Sequence, residues 1–128
     1  MHDLRFAQQI VSVIEETLRK EYSDKPVSLV TAHVSLSPFS HVSAQRLKDI
    51  FELLVEGENP PLIELDVKTM EIDIFCKRCR RRSKVKEPTV VCPYCKIEDI
   101  QVFIQEELVI DSIEIETDAS LFNEERTL

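Results

Sequence analysis

Hydrophobic and polar residues alternate along the chain with two periods, which predict helices in some segments and strands in others. The apolar positions within residues 3–21 recur with a period near 3.6 and fall on one stripe, which predicts a first helix. Asp3 is the expected N-cap of this helix. The stripe consists of Leu4, Ala7, Ile10, Val11, Ile14 and Leu18.

A second amphipathic helix is predicted over residues 43–56, with signals at both of its ends. Ser43 is the expected N-cap, and Val42 and Leu47 occupy the two positions of a hydrophobic staple. Gly57, the only glycine in the chain, stands where a C′ residue is expected. Between the helices, the segment KPVSLVTAHVSLS alternates apolar and polar residues and predicts a strand with one buried face.

Further strands are predicted on both sides of a cysteine-rich segment. One runs through residues 63–74 with a break near Lys68 and Thr69, another covers residues 100–104, and a last one covers residues 108–115. In the last strand the apolar parity shifts between Ile110 and Ile113, which predicts a bulge near Asp111 and Ser112.

This order of elements predicts an α+β fold: a small mixed α/β domain, with two helices on a three-stranded sheet, that carries an inserted Cys₄ zinc-ribbon-like module. We expect residues 1–70 plus 105–117 to form the α/β domain and residues 71–104 to form the zinc-binding module. Residues 118–128 are polar and lack periodicity, so we expect a disordered tail there.

The four cysteines lie within 20 residues as C-x2-C-x12-C-x2-C, at Cys76, Cys79, Cys92 and Cys95. Paired C-x-x-C motifs in a cytosolic chain favour metal ligation over disulfides, and Zn²⁺ takes four thiolates as a tetrahedron. Four protein ligands leave no open position, so the expected role of the zinc is structural. The motif CPYC also occurs in redox-active glutaredoxins, but the strand signal that follows it and the preceding C-x-x-C favour zinc.

Charge is distributed unevenly between this module and the remainder of the chain. The chain carries a net charge of −8, yet residues 76–96 hold eight Lys or Arg and one acid, and the remainder holds eight basic and 23 acidic residues. One interpretation is that these Lys and Arg side chains offset the charge of the thiolates. Alternatively, they bind an acidic partner or phosphates, and both interpretations stay open. The acidic remainder disfavours nucleic acid and membrane surfaces as partners.

Composition also excludes several classes of function. The longest apolar runs are too short to span a membrane, and no signal-peptide core is evident, so we expect a cytoplasmic protein. One glycine cannot build a phosphate-cradling loop, and no catalytic constellation is present, so we do not expect an enzyme. His33 falls on the polar parity of its strand and is predicted to be a solvated surface side chain, whereas His41 is kept as a candidate additional ligand.

Four segments, taken in order, resemble the HypA family of nickel-insertion proteins: MHDLRFAQQIVSVIEE, CKRC, CPYC and ELVIDSIEIE. That family matures [NiFe]-hydrogenases and, in some organisms, urease, and the resemblance runs from residue 1 to about residue 117. It implies a metallochaperone that binds Ni(II) transiently at its amino terminus and holds structural Zn(II) in its Cys₄ module. Carried over by position, the nickel ligands are the Met1 amine, the His2 imidazole and the backbone nitrogens of His2 and Asp3. The implied partners are a GTPase maturation factor and the hydrogenase large-subunit precursor.

The chain also departs from the family pattern. Position 3 is Asp where the family usually has Glu, and Arg80 and Lys96 stand where the zinc knuckles usually carry glycine. Two other functions remain open: a zinc-stabilised adaptor that lacks nickel, and a zinc-ribbon nucleic-acid-binding protein that places residues 78–86 on phosphates. The acidic remainder of the chain, and the few aromatic residues near the ribbon, weigh against nucleic acid.

Overall fold

The computed structural model describes residues 2–57, 61–104, 106–117 and, as backbone alone, 124–127. It contains two helices and seven strands in these parts of the chain. The helices are α1 (His2–Glu21) and α2 (Ala44–Val55). The strands are β1 (Val27–Leu36), β2 (Leu62–Thr69), β3 (Ile72–Cys76), β4 (Arg82–Val85), β5 (Ile100–Phe103), β6 (Leu108–Thr117) and β7 (Glu124–Thr127).

The larger sheet has the strand order β2-β1-β6-β7. Strand β1 is parallel to β2 and antiparallel to β6, and α2 makes the crossover that two parallel neighbours require. The fold class is confirmed, with one difference: the sheet has a fourth strand. Glu124–Thr127 lies within the segment expected to be a disordered tail, and the structure pairs it with β6. This pairing satisfies backbone groups at an edge that β6 would otherwise expose.

Both helices contribute to one hydrophobic core against the larger sheet. The stripe predicted for α1 is confirmed, because Ala7, Ile10 and Ile14 are buried, and Leu47 and Phe51 of α2 are buried with them. The sheet contributes the apolar residues that alternate with polar ones along its two central strands, β1 and β6. These buried sheet residues are Val30, Ala32, Val34, Leu36, Leu108, Ile113 and Ile115.

The helix ends confirm the predictions for α2 and correct the prediction for α1. Ser43 caps α2 by accepting a hydrogen bond from the Arg46 N–H at 3.1 Å, and Gly57 follows the helix with φ +88°. Asp3 is not the N-cap of α1, because the helix begins at His2 and includes Asp3 in its first turn. The Asp3 carboxylate nevertheless accepts the Leu4 N–H at 2.9 Å, so it satisfies a free amide from inside the helix.

The bulge predicted for β6 is confirmed, and the break predicted near Lys68 and Thr69 exists but lies two residues later. His33 pairs with Ser112 whereas Val34 pairs with Ile110, so the bulge of β6 lies at Asp111. The break between β2 and β3 lies at residues 70 and 71, where the Met70 N–H still donates to the Leu36 carbonyl at 3.0 Å.

The chain then forms a second, three-stranded sheet with the order β4-β3-β5, which carries the cysteines. Strand β4 lies within the 12-residue excursion between the two C-x-x-C motifs and was not predicted. Neither helix has the length and hydropathy needed to cross a membrane, as far as the described residues extend.

Candidate metal centres

The four cysteine side chains converge on one point at the end of the second sheet. Cys76 is the last residue of β3, Cys79 lies in the turn before β4, and Cys92 and Cys95 lie in the segment before β5. All four Sγ atoms lie within 4.8 Å of one another, with Cys76 3.6 Å from Cys95 and Cys79 3.7 Å from Cys92. A tetrahedron with metal–sulfur bonds of roughly 2.3 Å has edges of about 3.8 Å. The cluster therefore fits a four-coordinate ion such as Zn²⁺.

Each C-x-x-C motif forms a tight turn that closes on the residue after its second cysteine. The Arg80 N–H donates to the Cys76 carbonyl at 2.8 Å, and the Lys96 N–H donates to the Cys92 carbonyl at 2.9 Å. Both closing residues have left-handed backbone angles, with φ 61° at Arg80 and φ 64° at Lys96. For a residue with a Cβ atom this conformation costs roughly 1–2 kcal/mol, which explains why glycine is usual at these positions.

The cysteines fall into two pairs with opposite pKa shifts. The Cys79 N–H lowers the pKa of Cys76, and the Cys95 N–H, with that of Tyr94, lowers the pKa of Cys92 to about 6. Burial raises the pKa of Cys79 to about 11. The pKa of Cys95 is also raised, since burial and the Cys76 and Cys92 thiols outweigh the N–H of Ile97. Binding of a metal by all four sulfurs requires that the remaining thiol protons be displaced.

Two of the arginines in the basic segment lie over aromatic rings of the same module. The Arg81 guanidinium lies 4.9 Å from the centre of the Tyr94 ring, and that of Arg82 lies 6.0 Å from the centre of the Phe103 ring. These distances are within the range of cation–π attraction.

Two lysines of the segment lie close to acids on β3 and just before it. The Lys84 amine lies 3.8 Å from Asp73, and the Lys86 amine lies 3.8 Å from Glu71. Part of the basic segment thus has contacts within its own module, although its side chains remain mostly exposed.

The predicted nickel ligands lie at the amino-terminal end of α1. His2 is exposed and its ring lies 6.4 Å from the Phe6 ring, whereas Met1 lies outside the described residues. His2 and Asp3 are the first two residues of the helix. The first N–H groups of a helix have no acceptor within it, so the amide nitrogens of both residues are not needed for the helical hydrogen bonds.

The side chain of Asp3 is buried, at 6% exposure, and has two hydrogen-bond partners. Its carboxylate accepts the Leu4 N–H and the Nε–H of Arg46, which belongs to the first turn of α2. The Arg46 guanidinium holds the pKa of Asp3 below its ordinary value. The carboxylate is therefore occupied by contacts within the protein, and the backbone nitrogen of the residue is the donor left for a metal.

The prediction for His33 is corrected, because the side chain is partly buried, with 25% of it exposed, rather than freely solvated. His33 Nδ1 is hydrogen bonded to Asp66 Oδ2 at 2.9 Å, and its Nε2 lies 3.7 Å from Glu114 Oε2. The histidine is thus flanked by carboxylates of both neighbouring strands. Sequence reasoning missed these contacts because they depend on strand register, which places Asp66 directly opposite His33. His41 is exposed, and among the described residues only the four cysteines form a group that could hold a metal.

Comparisons with known proteins agree with this architecture. A family model described as "Hydrogenase/urease nickel incorporation, metallochaperone, hypA" matches residues 1–115. The hydrogenase maturation factor HypA of Aquifex aeolicus is 28% identical over 118 residues, which cover 92% of this chain and all of that protein. HypA of Klebsiella pneumoniae (strain ATCC 700721 / MGH 78578) is 24% identical over 91% of this chain and all of that protein.

A solution structure of a HypA protein shares the fold. Its TM-score is 0.53 at 17% identity, and the alignment covers 94% of this chain and 98% of the other. The family match spans both the amino-terminal turn of α1 and the cysteine cluster. The chain belongs to the HypA family of nickel-incorporation metallochaperones for hydrogenase and urease.

Proposed function

We propose that this protein binds one Ni²⁺ ion at its amino terminus and delivers it for the maturation of [NiFe]-hydrogenase, while its four cysteines hold a structural Zn²⁺. The observation that carries the proposal is the start of α1 at His2. It leaves an exposed imidazole beside amide nitrogens that have no acceptor within the helix. The protein binds and transfers a metal and performs no catalysis of its own.

The proposed nickel ligands are four nitrogens: the Met1 amine, the amides of His2 and Asp3, and the His2 imidazole. The amine and the His2 amide close a five-membered chelate ring, and the His2 imidazole and its own amide close a six-membered ring. Ni²⁺ accepts nitrogen donors of this kind. The two amides must lose their protons, and their two negative charges then balance the charge of the ion.

The start of α1 is a favourable place for this deprotonation. The amino-terminal end of a helix carries roughly half a positive charge, which stabilises an anionic amide nitrogen. The Arg46 guanidinium offsets the negative charge of the Asp3 carboxylate, so this carboxylate does not oppose the deprotonation. The same arginine occupies the Asp3 carboxylate, and this supports an all-nitrogen set of ligands rather than one that includes a carboxylate oxygen.

The cysteine cluster suits a metal that stays in place. Cys76, Cys79, Cys92 and Cys95 supply four sulfurs, and a tetrahedral ion with these ligands keeps no position for a substrate. Both Cys76 and Cys92 are 1% exposed, so exchange of the metal with solvent is hindered. Zinc bound there neutralises thiolate charge and links the turn after β3 to the segment before β5.

The proposed partners are a GTPase maturation factor and the hydrogenase large-subunit precursor, and the proposed location is the cytoplasm. A nickel site at an exposed helix end suits this role, because the ion must move on to a partner. The family description includes urease as a recipient as well.

The test is a nickel titration of the full chain with its native amino terminus. We expect one tightly bound zinc per chain in the wild type, His2→Ala and His41→Ala. We expect nickel binding in the wild type and in His41→Ala, the matched control at another exposed histidine, and loss of binding in His2→Ala. Equal nickel affinity of His2→Ala and wild type would contradict the proposed site.

A further inference from the structure

A groove with an apolar floor lies between the carboxyl-terminal half of α2 and the start of β2. Its volume is about 790 Å³. Leu53 of α2 is 70% exposed and Leu62 of β2 is 56% exposed, and both line the groove together with Val55 and Ile63. Large apolar side chains that are exposed next to one another, with polar residues around them, are typical of a binding surface.

The polar residues that line this groove are all acidic within the part of the chain that the structure describes. No Lys, Arg or His is among the described residues that line it, and no ion pair joins its carboxylates to a cation in the part of the chain that the structure describes. The lining acids are Asp49, Glu52, Glu56 and Glu64. An occupant with basic side chains therefore matches this acidic rim, and the exposed Leu62 matches apolar side chains.

The groove borders a free edge of the larger sheet. Strand β2 is the first strand in the order β2-β1-β6-β7, and it pairs with β1 on one side. On its other side no strand of the described residues pairs with it. An unpaired edge offers a row of N–H and C=O groups to another extended chain, which is one of the common ways in which proteins bind peptides.

We propose that this groove and the edge of β2 bind an extended segment of a partner protein whose side chains alternate between basic and apolar. The segment pairs its backbone with β2, so its alternate side chains lie on opposite faces of the sheet. Its Lys or Arg side chains face the acids of α2 on the helix side, and its apolar side chains pack against Leu62 on the other side, because Ile63, next to Leu62, packs against the core. The inference is independent of nickel binding at His2, since it uses none of the residues of that site.

The test uses two labelled octapeptides that differ only in charge: one alternates Lys and Val, and the other alternates Glu and Val. Each is titrated into the full, zinc-loaded protein labelled with ¹⁵N. We expect the Lys-Val peptide alone to bind and to shift amide signals of β2 and α2. We also expect added salt to weaken binding, because it screens the charges of the rim.

Matched pairs of variants test the site. Leu62→Asp should weaken binding of the Lys-Val peptide at least tenfold, whereas Val90→Asp should not, although Val90 is 68% exposed. Glu52→Lys on α2 should likewise weaken it, whereas Glu15→Lys on α1 should not. All four positions are exposed, so the midpoint of thermal unfolding should change little and will verify that each variant is folded.

Three results would overturn the proposal: no binding of the Lys-Val peptide, equal binding of the Glu-Val peptide, or amide shifts outside β2 and α2. A second copy of this chain is the other occupant to exclude, because β4 also lies at a sheet edge and carries Arg82 and Lys84. Sedimentation that shows a salt-sensitive dimer, lost in Leu62→Asp, would assign the groove to self-association and would also overturn the proposal.

Discussion

The cysteine cluster and the amino-terminal turn of α1 present their donor atoms in opposite ways. The cluster takes four side-chain sulfurs from two turns that face each other, and all four lie within 4.8 Å of one another. The turn of α1 offers the nitrogens of consecutive residues at an exposed helix end. The first arrangement suits a metal that is enclosed, and the second suits the proposed binding of a metal that can leave. This difference separates a structural ion from one that the protein carries.

Among the variants that distinguish the two sites, Cys92→Ser should have the largest effect on stability. Structural zinc in small domains contributes about 10–16 kcal/mol of binding free energy near neutral pH, so its loss should unfold the second sheet. The larger sheet should remain folded, because the main hydrophobic cluster contains no residue of the zinc-binding module. Zinc analysis should show less than one zinc per chain, and amide spectra should show loss of dispersion limited to residues 71–104.

The matched control for Cys92→Ser is His2→Ala, which should retain full zinc content. If Cys92→Ser bound zinc as tightly as the wild type does, the assignment of the four cysteines as zinc ligands would be wrong. If it unfolded the larger sheet as well, the two regions would be one cooperative unit.

Asp3→Asn should separate the role of the carboxylate from that of the backbone nitrogen. The Asp3–Arg46 contact joins the starts of α1 and α2 across 43 residues of sequence. Since the asparagine keeps the backbone nitrogen, nickel affinity should be nearly unchanged, whereas the stability of the helix pair should fall. Nickel titration and thermal unfolding measure these two effects, and a large loss of nickel affinity would indicate that the carboxylate takes part in binding.

The same contact predicts a dependence of stability on pH. The folded state lowers the pKa of Asp3 below its ordinary value of 3.8, because Arg46 donates to the carboxylate. The stabilisation is therefore fully present well above that value and is lost as the pH falls through it and towards the lower pKa of the folded state. Unfolding midpoints in this range should fall further for the wild type than for Asp3→Asn, and parallel curves would contradict the contact.

Arg80→Gly should have the smallest effect, and it should stabilise the zinc-binding module. Glycine removes the cost of a left-handed backbone at φ 61° but adds conformational entropy to the unfolded chain, so the expected gain is about 1 kcal/mol or less. Lys96→Gly should act in the same direction. Release of zinc to a chelator should become slower, whereas Arg78→Gly, at a position without positive φ, should not slow it.

Local patterns were enough to predict most elements of the fold and the cysteine cluster. The stripe of α1, the cap of α2 at Ser43 and the bulge of β6 each follow from residues close in sequence. The contacts that were missed join residues far apart: Arg46 with Asp3, and His33 with Asp66 and Glu114. Such pairs depend on helix packing and strand register, which periodicity alone does not give. Strand β4 was missed because its sequence, RSKV, holds a single apolar residue and therefore shows no alternation.

The proposed nickel site needs a free amine at Met1, whereas the four-cysteine zinc centre does not. The most direct test compares the native protein with the same chain acetylated at its amino terminus, by titrating nickel and measuring zinc in both. Acetylation turns the amine into an amide. We expect it to abolish nickel binding and to leave one zinc per chain in place. Tight nickel binding by the acetylated chain would show that the Met1 amine is not a ligand.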